Sequence, residues 1–298
     1  MESRFRQLKP NVSEKTIQVY ASNLRRLRKV SPSLEYAAIS EYLKQMKPQN
    51  AANLLTCVIV YEGRERFGEL FDTFNEEAEK MRGSQRFTER ELDSWVTVRK
   101  YREGIRRCFF DVDRLNLLQA RKHKPTELVI LVGYLMMRFY QEFHWRSDLR
   151  TIRIGKHDND NFYHNGKFYL NKFKTARKFK HHDLLPVIYT PSPRLRSLIE
   201  KFIKVREKQD INHDYLIYNR NLQPMSQTSF YKTMTRITFK YVGKKLSSSM
   251  LRHIYATEIM SKNPSLQEKK QHARSFMQLQ VEMFESYARR DENGKLAS

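Results

Sequence analysis

Ser247-Ser248-Ser249-Met250-Leu251-Arg252-His253-Ile254-Tyr255-Ala256-Thr257 reads as the opening of a helix. Serine hydroxyls can accept from the backbone N–H groups that have no partner in a first helical turn. Apolar residues at 251, 254, 255 and 259 then recur at helical spacing. That spacing gathers Ser249, Arg252 and His253 on one face, at i, i+3 and i+4. A fixed arginine beside a histidine suits a phosphate, because guanidinium offers a planar fork of donors and stays charged. Further on, Glu285-Ser286-Tyr287-Ala288-Arg289-Arg290 sets a tyrosine beside basic residues. A phosphate clamp followed by a late tyrosine suggests nucleophilic attack on a phosphodiester.

The composition favours a polyanionic partner. The chain has 298 residues, with 56 Lys and Arg against 33 Asp and Glu, a formal net charge of +23. Its pI is near 10.0, high for an enzyme of small metabolites. A membrane is a weaker match: the longest apolar run, residues 128 to 137 with Gly133 inside it, is too short to span a bilayer and reads as a buried helix. Met1-Glu2-Ser3-Arg4-Phe5-Arg6 lacks the apolar core of a signal peptide. With only Cys57 and Cys108, neither a disulfide framework nor a zinc site is expected. The expectation is an intracellular, soluble protein with no membrane partner.

Residues 1 to 83 read as a compact helical domain. Asn11 with Glu14 suggests a capping box, followed by Ile17, Tyr20, Leu24 and Leu27 at helical spacing and a basic cluster that includes Arg25, Arg26 and Lys29. Further helices are expected at about 34 to 46, after Pro48, and at about 67 to 81. Gly83-Ser84-Gln85 is the linker candidate, and residues 84 to 298 form a second domain. One helical pattern runs from Thr88 through Trp95, Val98, Tyr101 and Ile105 to Phe109, and another from about 125 to 142. The texture then turns strand-like between about 150 and 190. Asn165-Gly166 supplies the positive φ angles of a tight hairpin, and a third strand is expected near 184 to 189. Helices resume at about 195. The fold class is mainly α with one small antiparallel β-sheet.

Four separated pieces now fall in order. Arg146 lies in His144-Trp145-Arg146-Ser147-Asp148-Leu149 and Lys174 in Phe173-Lys174-Thr175, ahead of Ser249-Met250-Leu251-Arg252-His253 and Tyr287. This order resembles the tyrosine recombinase/integrase family, in the flavour of eukaryotic mobile elements and large DNA viruses. The resemblance covers nearly the whole chain. It implies an N-terminal core-binding (SAM-like) domain, a catalytic domain, double-stranded DNA as partner, and a homotetramer on two DNA sites. It implies that Arg146 and Arg252 hold the scissile phosphate, and that Lys174 protonates the leaving 5′-hydroxyl. Tyr287 would attack phosphorus to give a 3′-phosphotyrosyl link. Such chemistry needs neither metal nor nucleotide cofactor.

Two positions depart from the family pattern. Ser249 stands where the family usually has His or Lys, and Gln278 where it usually has His or Trp. Both can donate hydrogen bonds, but neither is an acid or base near neutral pH. A DNA-binding protein that no longer cuts therefore stays open beside the recombinase, as does a type IB topoisomerase. A metal-dependent nuclease is disfavoured, because His157-Asp158-Asn159-Asp160 reads as a polar loop and His181-His182-Asp183 lacks partners at metal-site spacing. Lys172 is the alternative to Lys174. Lys172, Arg177, Lys178, Lys180, His253, Arg25, Arg26 and Lys29 are the candidate DNA contacts.

Overall fold

The computed structural model describes residues 1–145, 148–173, 176, 185–275 and 281–297. Packing divides the chain into two compact units, Met1–Gln85 and Arg86–Ser298. The fold is mainly helical with a small four-stranded sheet.

The first unit is built from α1 (Glu2–Leu8), α2 (Glu14–Val30), α3 (Tyr36–Lys44), α4 (Pro48–Glu62) and α5 (Gly68–Gly83). Helix α1 was not evident from the sequence pattern. Its one buried residue, Phe5, packs its ring 5.5 Å from that of Tyr20 and 5.3 Å from that of Tyr61. The cap of α2 is Ser13 rather than Asn11: the Ser13 hydroxyl accepts from Thr16 N at 3.2 Å, and Ser13 has the extended backbone a cap requires. Glu14 is thereby the first helical residue, too early for a capping box, and it pairs with Arg6 at 2.5 Å. Ile17, Ala21, Leu24 and Leu27 of α2 face Leu54, Leu55 and Val58 of α4 in one apolar core. Pro48 opens α4, where the missing N–H has no helical partner to lose. Glu76, Glu77 and Glu79 lie on the solvent side of α5.

The second unit begins with α6 (Glu89–Ser94) and α7 (Val98–Arg114). The single helix expected over 88 to 109 is broken at Thr97, which takes an extended conformation and caps α7 by accepting from Lys100 N at 3.1 Å. At the centre runs α8 (Pro125–Glu142), buried along most of its length and packed by α7, α9 (Pro193–Glu207) and α10 (Gln227–Val242). Gly133 lets α10 approach closely: a Cβ there would lie 2.5 Å from Ile237 Cγ1. Among the described residues, three further α-helices follow: α11 (Ser248–Met260), α12 (Leu266–Ser275) and α13 (Val281–Glu285).

The sheet has the order β1 (Arg153–Ile154), β2 (Phe162–His164), β3 (Lys167–Leu170), β4 (Val187–Tyr189). Asn165 and Gly166, with φ of 48° and 73°, close the β2–β3 hairpin, and β4 adds antiparallel to β3. The sheet is mixed rather than wholly antiparallel, because β1 pairs parallel to β2. The loop between them carries the chain back, so that Arg153 N reaches Asn161 O at 2.8 Å and Gly155 N reaches Tyr163 O at 3.0 Å. Phe139 and Phe143 pack with Trp145, Phe168 and Tyr189 in an aromatic nest between α8 and the sheet. That nest fixes Trp145, immediately before Arg146.

Candidate active site

Helix α11 carries the clamp. Its cap is Ser247, whose hydroxyl accepts from Met250 N at 3.1 Å. One turn further, Arg252 is only 2% exposed, and a buried guanidinium requires hydrogen-bond partners. Its Nε donates to the His144 carbonyl at 2.7 Å. Its Nη1 donates to the Tyr287 hydroxyl at 3.3 Å, with the guanidinium carbon 5.7 Å from the centre of the Tyr287 ring. The structure thus brings together the arginine and the tyrosine singled out in the sequence. Ser249 stands exposed on the first turn of the same helix.

The His144 ring is itself fixed. It stacks on Tyr255 at 3.6 Å and 16°, and the Tyr255 hydroxyl meets His272 Nδ1 at 3.1 Å. Burial, helped by the Arg252 charge, holds the His144 imidazole well below its ordinary range and keeps it neutral. Its carbonyl belongs to the segment leading to Arg146. Arg146, Lys174 and Gln278 lie outside the described residues, as do Arg177, Lys178, Lys180 and the 181–183 triplet.

His253 faces the tyrosine segment from the other side. Its Nδ1 lies 2.8 Å from the Tyr287 carbonyl oxygen, and its ring centre 4.8 Å from the Tyr287 ring centre. Burial, with the nearby Arg289 charge, pushes its pKa down to about 4. It is therefore neutral at pH 7, donating from Nδ1 to the carbonyl. Its Nε2 is left to accept from Arg289 Nη2 at 3.2 Å. Arg289 in turn places Nη2 and Nε at 2.8 Å and 3.2 Å from Glu91 Oε1. Burial opposes ionisation of Glu91, but hydrogen bonds from Arg289 and from Thr88 N outweigh it and hold the carboxyl below the usual range. The Arg289 backbone N–H donates to Thr257 Oγ1 at 2.9 Å, which ties this stretch to α11.

Glu91 did not stand out in the sequence, and Arg289 did so only as a basic neighbour of Tyr287. Thr88-x-x-Glu91 has the form of a capping box, and it is one here: Glu91 Oε2 accepts from Thr88 N at 2.9 Å. Nothing in that motif announces the second task of the carboxylate. Asn161, too, carried no signal of its own in the sequence. Buried, its amide accepts from Asn171 N and Lys172 N at 2.8 and 2.7 Å and donates to Lys172 O at 2.6 Å. It therefore pins the chain just ahead of Lys174.

No protein-family profile matches this sequence, and no curated protein matches it. Among solved structures, the crystal structure of XerA recombinase aligns over 98% of this chain and 94% of its own, with 12% identity and a TM-score of 0.46.

The remaining candidates divide by partner. Lys172, the alternative acid, pairs with Asp160 at 2.8 Å, and Asp160 also holds Arg153 at 2.9 Å. His157 meets Asp214 at 2.9 Å. Among the described residues, no three His, Cys, Asp or Glu side chains are placed to hold a metal. On α2, Arg26 donates to the Tyr42 hydroxyl at 2.8 Å, Arg25 leans back to the Ala21 carbonyl at 3.3 Å, and Lys29 is exposed. No helix among the described residues is long and apolar enough to cross a membrane.

Proposed function

We propose that this chain is a DNA strand transferase of the tyrosine-recombinase type, cleaving and rejoining DNA through a 3′-phosphotyrosyl intermediate. The observation that carries this reading is the meeting of a buried guanidinium with a late tyrosine: Arg252 Nη1 lies 3.3 Å from the Tyr287 hydroxyl. A phosphate placed beside this pair would be within reach of both nucleophile and charge. In the proposed step, the Tyr287 hydroxyl loses its proton to water, its oxygen attacks phosphorus, and the bond to the 5′-oxygen breaks. The leaving oxygen takes a proton from Lys174, while Arg252, with Arg146, stabilises charge developing on the non-bridging oxygens. Neither a metal nor a nucleotide enters the balance. The family resemblance adds double-stranded DNA, a tetramer on two sites, and a mobile-element or viral setting to the proposal.

A suicide DNA duplex that traps the covalent intermediate tests the reading. The wild type should form a protein–DNA adduct stable to denaturant, and Tyr287→Phe should form none. An adduct that persists in the mutant would refute the nucleophile assignment. One observation favours a second reading: the clamp helix presents Ser249, which cannot serve as an acid or base, on its exposed first turn. Tight, salt-sensitive DNA binding with no adduct in the wild type would identify a binding protein on this fold. Relaxation of supercoiled plasmid lacking any special site would point to the topoisomerase alternative.

A further inference from the structure

The Tyr287 segment is held by a run of side-chain hydrogen bonds that ends on Glu91. Glu91 sits on α6 with one oxygen committed to its own helix, where Oε2 accepts from Thr88 N at 2.9 Å. Its other oxygen takes both Nε and Nη2 of Arg289, at 3.2 and 2.8 Å. Arg289 Nη2 also points at His253 Nε2 at 3.2 Å, and His253 Nδ1 closes the chain on the Tyr287 carbonyl at 2.8 Å. Glu91, Arg289 and His253 have side chains only 16%, 13% and 13% exposed, so water competes weakly for these bonds. The links are ordered. A carboxylate fixes the guanidinium, a guanidinium donating to Nε2 leaves the imidazole proton on Nδ1, and that proton is the one the tyrosine main chain accepts.

We propose that Glu91 is a positioning residue for Tyr287, acting through Arg289 and His253 to hold the tyrosine peptide against α11. The inference rests on reading Tyr287 as the nucleophile. Attack in line on phosphorus is sensitive to placement, and an error of about 1 Å can lower a rate about 100-fold. Arg252 fixes the phenol end of the residue, and the Glu91 chain fixes its backbone end.

The test uses the full-length protein with Glu91→Gln, Arg289→Gln, the double variant and Thr88→Ala. Amide hydrogen exchange over residues 284–290 of the DNA-free protein is read first, because it does not depend on cleavage. Glu91→Gln and Arg289→Gln should each speed exchange there about tenfold, and the double variant should add little, since one break already severs the chain. Thr88→Ala, which disturbs only the cap side of the carboxylate, should leave residues 284–290 protected. In single-turnover reactions with the suicide duplex, Glu91→Gln should lower adduct formation by about 10- to 100-fold at saturating DNA with DNA affinity unchanged. Unchanged exchange at 284–290 in Glu91→Gln overturns the proposal. So does faster exchange spread through α8, which would make Glu91 a support of the whole fold. A wild type that forms no adduct would count against the catalytic reading alone, and the exchange result would still decide the positioning role.

Discussion

Arg252 illustrates how much one residue can disclose. A charged side chain on an otherwise apolar helical stretch must find partners, and that requirement was visible in the sequence. Which partners it finds was not, because His144 and Tyr287 are distant in the chain and only the packed fold brings them close. The pairing of Glu91 with Arg289 was hidden for the same reason: the two stand 198 positions apart and meet only in the packed fold. Arg252→Lys keeps the charge but loses the fork that serves two acceptors at once. It should leave the buried His144 carbonyl poorly satisfied, lowering stability by about 1–3 kcal/mol in urea unfolding. It should also reduce adduct formation about 100-fold or more. His253 supplies a pH dependence. The unfolded chain binds a proton at this ring below about 6.5, whereas the folded protein does so only near 4. The contribution is therefore complete above 6.5 and is lost as pH falls towards 4, on the order of 3 kcal/mol in all. Urea midpoints measured from pH 7 to 4.5 should fall for the wild type and fall less for His253→Gln. Some slope should remain, because buried His144 acts with the same sign. Equal slopes in the two proteins would contradict this account.

At the scale of elements, periodicity located α2, α8 and the β2–β3 hairpin, because each carries a long apolar stripe or a decisive turn. It failed where short polar signals compete with longer patterns. Thr97 starts a new helix inside a stretch whose apolar spacing continues unbroken, and the β1 direction is set by tertiary partners. Ile154 N donates to Asp214 O at 2.8 Å and Leu216 N to Ile152 O at 2.7 Å, contacts no local pattern could announce. The α8–α10 crossing makes a sharper prediction. A Cβ on Gly133 would lie 2.5 Å from Ile237 Cγ1 and 3.1 Å from its Cβ, so a shift of one terminal methyl cannot relieve it. Gly133→Ala should gain about 1 kcal/mol in helix propensity but lose more through overpacking of about 1–3 kcal/mol. A lowered melting temperature is expected. Ile237→Ala alone should also destabilise by opening a cavity, yet the double variant should be more stable than the sum of the two changes predicts. Strict additivity would mean that the helices separate rather than clash.

Over the whole molecule, charge is unevenly shared between the two units. Residues 1 to 85 hold 14 Lys and Arg against 11 Asp and Glu, whereas residues 86 to 298 hold 42 against 22. The positive charge that suggested a polyanionic partner therefore lies mainly in the second unit, and the basic cluster on α2 is a local feature of a nearly balanced first unit. The sequence did contain this asymmetry, but it becomes meaningful only once the chain is divided at Gln85. If DNA is the partner, the logarithm of affinity should fall linearly with the logarithm of salt concentration, with a slope of about −0.9 per phosphate neutralised. Replacing Arg25, Arg26 and Lys29 together by Gln should then reduce the magnitude of that slope by no more than about 3, most of the salt dependence surviving in residues 86 to 298. Fluorescence anisotropy on a labelled duplex between about 50 and 200 mM salt measures it. Because Arg26 is already bonded to Tyr42 and Arg25 to its own helix, a reduction nearer 1, from Lys29 alone, is the expected value. A slope that collapses in the triple variant would place the main phosphate-binding surface on α2, despite the weight of charge elsewhere.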